Sequence, residues 1–212
     1  LNLGDHVGDD PAKVKRNRRG LVDALEMPGK PRWLAQMHGS AIALADDIKA
    51  PVEADAAFSN SPNVVCAVLT ADCLPILLCD ARGKQVAAVH AGWRGLCAGV
   101  VELAVHSFLS ADIPAGKILA WLGPAISQSA YEVDAVVKDA FTARNPDCAG
   151  AFIESRPGHW QLDLYFAARE ILGHFGVNEI YGGDFCTWND TRFFSHRRDG
   201  NCGRQATLIW LT

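Results

Sequence analysis

The feature that most constrains this chain is a pair of apolar runs separated by a short polar turn. The runs are Leu74–Cys79 and Val86–Val89, and the turn contains Asp80–Gly83. Runs of this length bounded by turn residues are typical of buried β-strands, and we expect them to pair antiparallel as a hairpin. In a hairpin the start of the first strand lies beside the end of the second. The pattern therefore places Cys73 and His90 at the same edge of a sheet.

The segment that follows His90 combines small residues with one cation. Ala91–Gly95 contains Arg94 and two glycines, and it precedes a predicted helix over Leu96–Leu109. Small residues allow the backbone to approach a ligand closely, and a turn from a strand into a helix is a natural anion site. Arg94 is therefore a candidate anion-binding residue, with a surface salt bridge as the alternative.

The rest of the chain mixes strand and helix patterns without strict alternation. Predicted helices begin at Pro11 (with Asp9 or Asp10 as the cap), at Asp134 and after Asp163. The buried stripe expected for the first of them is Val14, Leu21, Val22 and Leu25. Further predicted strands are Pro31–Met37, Val64–Thr70, Lys117–Leu122, Phe152–Glu154, Trp160–Leu162, Glu179–Tyr181, Phe185–Trp188, Arg192–His196 and Thr207–Leu211. This mixture favours an α+β fold, with mixed β-sheets in a layered sandwich covered by helices.

Length and charge limit the class of protein. A chain of 212 residues is long enough for one well-buried domain, and we expect a single domain over residues 1–212. The net charge is −4, and the only basic run, Lys13–Arg19, has acidic neighbours, which disfavours nucleic acid as a partner. No apolar run reaches membrane-spanning length, so no membrane partner is expected. The first residue is Leu1 rather than Met, and we expect a preceding segment.

The cysteines and histidines provide the candidate chemistry. Seven cysteines without a Cys-x-x-Cys pair favour reduced thiols and a cytoplasmic location. His38, Cys73 and His90 each stand at the end of a strand-like run, and zinc accepts such a mixture with one position open for water. Their spacing matches no short zinc motif, so a buried cysteine and two ordinary histidines remain an alternative. A second alternative is a cysteine hydrolase, with Cys73 as nucleophile, His90 as base and Asp72 as the orienting carboxylate.

Several short sequence motifs of the chain resemble those of one family. They are LNLGDHVGDD at the start with Asn17-Arg18, QMHG at 36–39, TADCLP at 70–75, VHAGWRGL at 89–96, LGPAI at 122–126, and YGGDFCT, FFSHRRDG and GR within 181–204. Together they resemble the YfiH family, also called the laccase-domain or polyphenol-oxidase-like family. The resemblance covers nearly the whole chain. Family members usually begin with a further segment that holds an Arg and a Gly-Gly loop, and that segment is absent from this sequence.

The resemblance implies a zinc-dependent purine nucleoside phosphorylase. Carried over to this chain, the zinc ligands are His38, Cys73 and His90. The implied reaction converts adenosine, inosine, guanosine and methylthioadenosine with phosphate into the free base and ribose 1-phosphate, with adenosine deamination as a second activity. Arg94, Arg18 and Arg198 are the candidates for binding the anion, and Arg94 and Asp72 for catalysis.

The family's older label is copper-dependent polyphenol oxidase. A multicopper cluster needs many imidazoles, usually in His-x-His pairs, whereas this chain has seven histidines and no such pair. A ligand set that includes a thiolate suits zinc or cuprous ion. Copper is therefore the less favoured metal.

Overall fold

The computed structural model describes all 212 residues and has an α+β fold in layers, as the sequence predicts. The strands are β1 (Ile42–Leu44), β2 (Ala56–Ser59), β3 (Cys66–Thr70), β4 (Leu74–Asp80), β5 (Val86–Ala91), β6 (Ile118–Leu122), β7 (Glu132–Asp134), β8 (Phe152–Arg156), β9 (His159–Leu162), β10 (Glu179–Gly182) and β11 (Gln205–Ile209). The helices are α1 (Pro11–Ala24), α2 (Trp93–Ala98), α3 (Val100–Leu109), α4 (Ala135–Arg144), α5 (Leu164–His174) and α6 (His196–Asp199). No helix combines the length and the apolar character needed to cross a membrane.

The strands form three sheets. The largest has six strands in the order β1-β2-β5-β4-β6-β10, with parallel pairs at its two ends and antiparallel pairs between them. A two-stranded sheet joins β11 to β3, and a three-stranded sheet has the order β7-β9-β8.

Strand β5 shows why the fold is layered. All six of its residues are buried, and alternate residues belong to two different apolar clusters. Ala87 and Val89 join the cluster that contains residues of α3 and α5, whereas Val86 and Ala88 join the cluster that contains Cys66 and Val68 of β3. Because successive side chains of a strand point to opposite faces, the six-stranded sheet lies between a helical layer and the β3-β11 sheet.

The predicted central hairpin is confirmed. Strands β4 and β5 pair antiparallel, with Leu74 opposite Ala91 and Pro75 opposite His90. The predicted single helix over 96–109 was wrong in extent. The helical segment begins at Trp93 and divides at Gly99, whose φ of +95° lies in the left-handed region that favours glycine.

Three predicted strands were wrong because side chains occupy the backbone groups that a sheet would use. In the predicted strand 31–37, the Gln36 amide accepts from Leu69 N and donates to Leu69 O, each at 2.8 Å, and only isolated bridges form. In the predicted strands 185–188 and 192–196, the Arg198 guanidinium donates to the carbonyls of residues 187, 188 and 193. The short helix α6 then begins where the second of these strands was expected to end.

Helix α1 begins as predicted but packs less than predicted. Asp10 is the N-cap and accepts from Ala12 N, and Pro11 is the first helical residue. Of the predicted buried stripe, only Val14 is buried, and Leu25 is 49% exposed. The stripe is incomplete because an open cleft runs along this helix, and Val22 lies in its wall.

Candidate metal and substrate site

The central hairpin positions two of the three candidate ligands. Cys73 immediately precedes β4, and His90 is the penultimate residue of β5. Because these strands pair antiparallel, both residues lie at the same edge of the large sheet. The side chain of His90 is only 3% exposed. The sequence therefore predicts this part of the geometry from register alone.

The third candidate ligand comes from a loop held in an uncommon conformation. His38 has a φ of +59°, which is rare for a residue other than glycine. Three consecutive backbone N–H groups, those of Met37, His38 and Gly39, donate to the carboxylate of Asp55 at 3.1, 2.9 and 2.7 Å. This carboxylate supplies the interactions that hold the loop in a strained geometry.

The three candidate ligands meet in one group. Ligand atoms of His38, Cys73 and His90 all lie within 4.8 Å of one another, and this is the one group of three or more such residues in the chain that could hold a metal ion. The two imidazole rings meet edge to face, with centroids 4.8 Å apart. Two imidazoles and a thiolate form a donor set that zinc accepts.

The carboxylate of Asp55, a residue that was not among the predicted site residues, orients the group. One of its carboxylate oxygens lies 2.8 Å from Nδ1 of His90, so the imidazole can offer only Nε2 to a ligand. The Asp55 side chain is 1% exposed. Asp55 lies between alanines immediately before the strand β2, and a buried acidic residue requires a partner, which was the signal available in the sequence.

Charges inside the group perturb its proton affinities. Burial alone would raise the pKa of the Cys73 thiol, but the positive charge of His90 and hydrogen bonds from His38 and His90 lower that pKa to about 6. Burial opposes the charge on His90, yet the neighbouring Cys73 thiolate and Asp55 raise the pKa of that imidazole to about 9. The thiolate is the form of cysteine that binds metals and attacks electrophiles.

Glycine at position 92 allows the group to assemble. A Cβ atom on Gly92 would lie 2.8 Å from Sγ of Cys73, which is closer than packing permits, and 3.4 Å from Cδ2 of His38. A Cβ on Gly95 would lie 3.0 Å from the carbonyl oxygen of Gly39. Both glycines therefore let the start of α2 pack against the two loops that carry candidate ligands.

The group opens into a cleft of about 400 Å³ with a cationic wall. Arg94, Arg197 and Arg204 line this cleft together with His6, His196 and Tyr131. Arg94 is exposed, lies over the ring of Trp93 at 4.5 Å and forms no salt bridge within the chain. Several cations that line one cleft suit an anionic ligand. Arg197, Arg204 and Tyr131 were not identified from the sequence, because only tertiary contacts bring residues this far apart in the chain to one cleft.

Asp72 lines the same cleft, but both its carboxylate oxygens are occupied. One accepts from the Thr187 hydroxyl at 2.6 Å, and the other accepts from the backbone N–H of Arg197 at 2.7 Å. Asp72 also has a φ of +91°. It thus ties the loop that carries Cys73 to the segment that carries Arg197.

The other two predicted anion-binding arginines lie outside the lining of this cleft. Arg18 donates from Nε to the carbonyl of Leu3 at 2.8 Å, contacts Asp5 at 3.2 Å and lies over the ring of Trp33 at 4.3 Å. Arg198 is committed to backbone carbonyls of its own segment and to Asp199. The structure therefore brings Arg94 and Asp72 to the candidate metal group, and it gives Arg18 and Arg198 other partners.

A family model, related sequences and solved structures all match this chain over nearly its full length. The model of a family described as "Multi-copper polyphenol oxidoreductase laccase" matches residues 1–212. Two similar relatives are "Purine nucleoside phosphorylase YfiH" of Shigella flexneri, 51% identical over all of this chain and 86% of that protein, and "Purine nucleoside phosphorylase PA4543" of Pseudomonas aeruginosa, 49% identical with the same coverage. The crystal structure of Neisseria meningitidis protein NMB0706 is 44% identical and superposes with a TM-score of 0.93 over 99% of this chain and 86% of that one.

Proposed function

This chain belongs to the YfiH, or laccase-like, family, and on that premise we propose that it is a zinc-dependent purine nucleoside phosphorylase. The proposed reaction converts a purine nucleoside and phosphate into the free base and ribose 1-phosphate. Adenosine, inosine, guanosine and methylthioadenosine are the proposed nucleosides, and adenosine deamination is a proposed second activity. The names of the similar proteins support the phosphorylase assignment.

The observation that carries the proposal is that one cleft holds both the His38, Cys73 and His90 group and three arginines. A volume of about 400 Å³ is in the range of sites for small molecules. Phosphorolysis requires phosphate near the anomeric carbon of the sugar and stabilisation of charge as the base departs. The arginines of the cleft fit the need to bind phosphate. The neighbouring His38, Cys73 and His90 group, which accepts a metal ion, fits the need to stabilise charge as the base departs.

The cleft residues have distinct proposed roles. Arg94, which has no carboxylate partner, binds phosphate, and Arg197 and Arg204 add positive charge around it. The Asp72 carboxylate accepts the backbone N–H of Arg197 and so keeps Arg197 at the cleft. Tyr131 forms an aromatic wall for the purine, and burial raises the pKa of its hydroxyl, so that this group stays neutral and can donate a hydrogen bond.

The donor set fits zinc better than a copper cluster. Two imidazoles and a thiolate of lowered pKa form a three-ligand site, and Asp55 fixes the orientation of one imidazole. A bound zinc ion supplies Lewis acidity at this end of the cleft. One His/Cys/His group cannot hold the several ions of a multicopper oxidase.

A cysteine hydrolase is the second candidate function, and one observation favours it. Cys73, His90 and Asp55 form a chain in which an imidazole lies between a thiol of lowered pKa and a buried carboxylate. This is the arrangement of a thiol nucleophile with its base and orienting group. The orienting role was predicted for Asp72, but the carboxylate in contact with the imidazole is that of Asp55, and Asp72 accepts from Thr187 instead.

One experiment separates the two candidates. Metal content is measured by mass spectrometry for the wild type, Cys73→Ser and the control Cys97→Ser, whose thiol lies outside the cleft. Release of hypoxanthine and adenine from inosine and adenosine is followed with and without phosphate. The proposal expects about one zinc per chain and phosphate-dependent base release, both lost in Cys73→Ser and kept in Cys97→Ser. A metal-free wild type that is active without phosphate and is inactivated by alkylation of Cys73 would establish the hydrolase instead.

A further inference from the structure

A second cleft lies along helix α1 on the opposite side of the Asp5-His6 loop. Its volume is about 720 Å³, and it lies between α1, residues 30–33 and residues 48–51. Asp5 lines this cleft, whereas the adjacent His6 lines the candidate substrate cleft. The two clefts are therefore neighbours with different walls, and the proposed phosphorylase activity does not use the second one.

The walls of the second cleft are strongly cationic. Its six positively charged side chains are Lys15, Arg18, Arg19, Lys30, Arg32 and Lys49, against the two carboxylates of Asp5 and Asp23. The chain as a whole carries a net charge of −4, whereas the side chains of this cleft carry an excess of positive charge. The sequence showed only the run 13–19, because Lys30, Arg32 and Lys49 join it through the tertiary fold.

Most of these cations have no internal partner. The single salt bridge among them joins Arg18 to Asp5 at 3.2 Å. Nε of Arg32 is buried and has no hydrogen-bond partner, which costs free energy unless a ligand or water supplies an acceptor. Unpaired cations around a concave surface attract a ligand that carries several negative charges.

The remaining lining is apolar and aromatic. Val14 and Ile48 are buried at the floor, and the ring of Trp33 lies under the Arg18 guanidinium at 4.3 Å. Aromatic and guanidinium planes are surfaces on which nucleobases stack. A volume of about 720 Å³ exceeds what inorganic phosphate fills and lies in the range of sites for larger organic ligands.

We propose that this cleft is a binding site for a nucleoside polyphosphate, distinct from the substrate cleft. The phosphates contact the cations of α1 and of residues 30–49, and the base packs against Trp33 and the Arg18 plane. Both parts of the ligand have counterparts in the lining, since phosphate alone leaves the aromatic wall unused and a neutral nucleoside leaves the cations unpaired.

The test is isothermal titration calorimetry of the whole protein with ATP in phosphate-free buffer. The cleft variant is the double substitution Lys15→Glu with Lys49→Glu, and the matched control is Lys13→Glu with Lys117→Glu, which makes the same change in net charge at exposed lysines outside the cleft. We expect one ATP per chain, at least tenfold weaker binding in the cleft variant, and binding within twofold of the wild type in the control.

Two further titrations locate the ligand and identify its chemistry. Excess inosine should leave ATP binding unchanged, and displacement of ATP by inosine would place it in the substrate cleft and overturn the proposal. Inorganic tripolyphosphate should bind more weakly than ATP, and equal binding would overturn the nucleotide assignment. Equal loss in both double variants, or tighter binding of a short single-stranded oligonucleotide than of ATP, would also overturn the proposal. Because none of these titrations measures turnover, their outcome is independent of the phosphorylase assay.

Discussion

Nδ1 of His90 lies 2.8 Å from a carboxylate oxygen of Asp55, and the same carboxylate accepts the backbone N–H groups on both sides of His38 as well as that of His38 itself. One buried carboxylate therefore orients two of the three candidate ligands, one through its ring and one through its backbone. The third, Cys73, is positioned independently by strand register.

Substitution of Asp55 should therefore weaken metal binding although Asp55 is not a ligand. In Asp55→Asn the neutral amide provides only one acceptor oxygen for four donors, and we expect about 10- to 100-fold lower zinc affinity. Competition with a chromophoric chelator measures the affinity. Asp47→Asn, at an exposed carboxylate, is the control and should bind zinc as the wild type does. Equal affinity in Asp55→Asn and the wild type would disprove the orienting role.

Substitution of Gly92 should disrupt the group without a general loss of structure. The added Cβ of Gly92→Ala would lie 2.8 Å from Sγ of Cys73, so we expect loss of bound zinc together with base release. The control is Gly20→Ala, where a Cβ has no neighbour within 4 Å. Because glycine weakens a helix interior, this control should raise the free energy of unfolding by roughly 0.5–1 kcal/mol. Metal analysis and urea unfolding of both variants provide the measurements.

Alkylation should report the lowered pKa of Cys73. In protein stripped of metal, the rate of Cys73 carboxymethylation should rise with a midpoint at about pH 6, because the charge of His90 and the hydrogen bonds from the two histidines favour the thiolate. Peptide mass spectrometry distinguishes Cys73 from the other six cysteines. In His90→Gln the midpoint should move upward toward that of an ordinary thiol. A wild-type midpoint near 9 would contradict the described geometry.

Arg94 should contribute to phosphate affinity. Its guanidinium has no salt bridge within the chain, and loss of a charge-assisted contact costs about 1.5–3 kcal/mol, so Arg94→Ala should raise the KM for phosphate about 10- to 100-fold. Bound zinc should not change. Arg192→Ala, which removes an exposed arginine paired with Asp190, is the control and should leave the KM unchanged. Initial rates at varied phosphate decide between these outcomes.

Thr187→Val tests whether Asp72 acts by holding Arg197 in place. This change removes the 2.6 Å hydrogen bond to one oxygen of Asp72 and leaves the cleft lining intact. We expect the KM for phosphate to rise several-fold with zinc retained, because the segment that carries Arg197 is less firmly attached. Thr142→Val, on the surface of α4, is the control. An unchanged KM would show that the Asp72 link to Thr187 does not position Arg197.

Some of the candidate site was predictable because it depends on local rules. Two continuous apolar runs and a short turn predict the β4-β5 hairpin, and antiparallel pairing then brings Cys73 to His90. The Asp10 and Asp163 caps likewise follow from the first turn of each helix. His38 was grouped with Cys73 and His90 because it follows a predicted strand, and the family resemblance supported the same group. That strand was wrong, and the position of His38 depends on a loop that the Asp55 carboxylate holds.

The sequence by itself therefore determined the central hairpin, the starts of α1, α4 and α5, the layered α+β class and the family. Only the tertiary structure decided where Asp55, Arg197 and Arg204 lie and which residues line the second cationic cleft. These depend on contacts between segments far apart in the chain, such as Asp72 with Arg197 and Gln36 with Leu69. Hydrophobic periodicity indicates which face of a helix or strand is buried. It contains no information on a side chain that bonds to a distant backbone, as Gln36 does, or on a carboxylate that orients a distant imidazole, as Asp55 does.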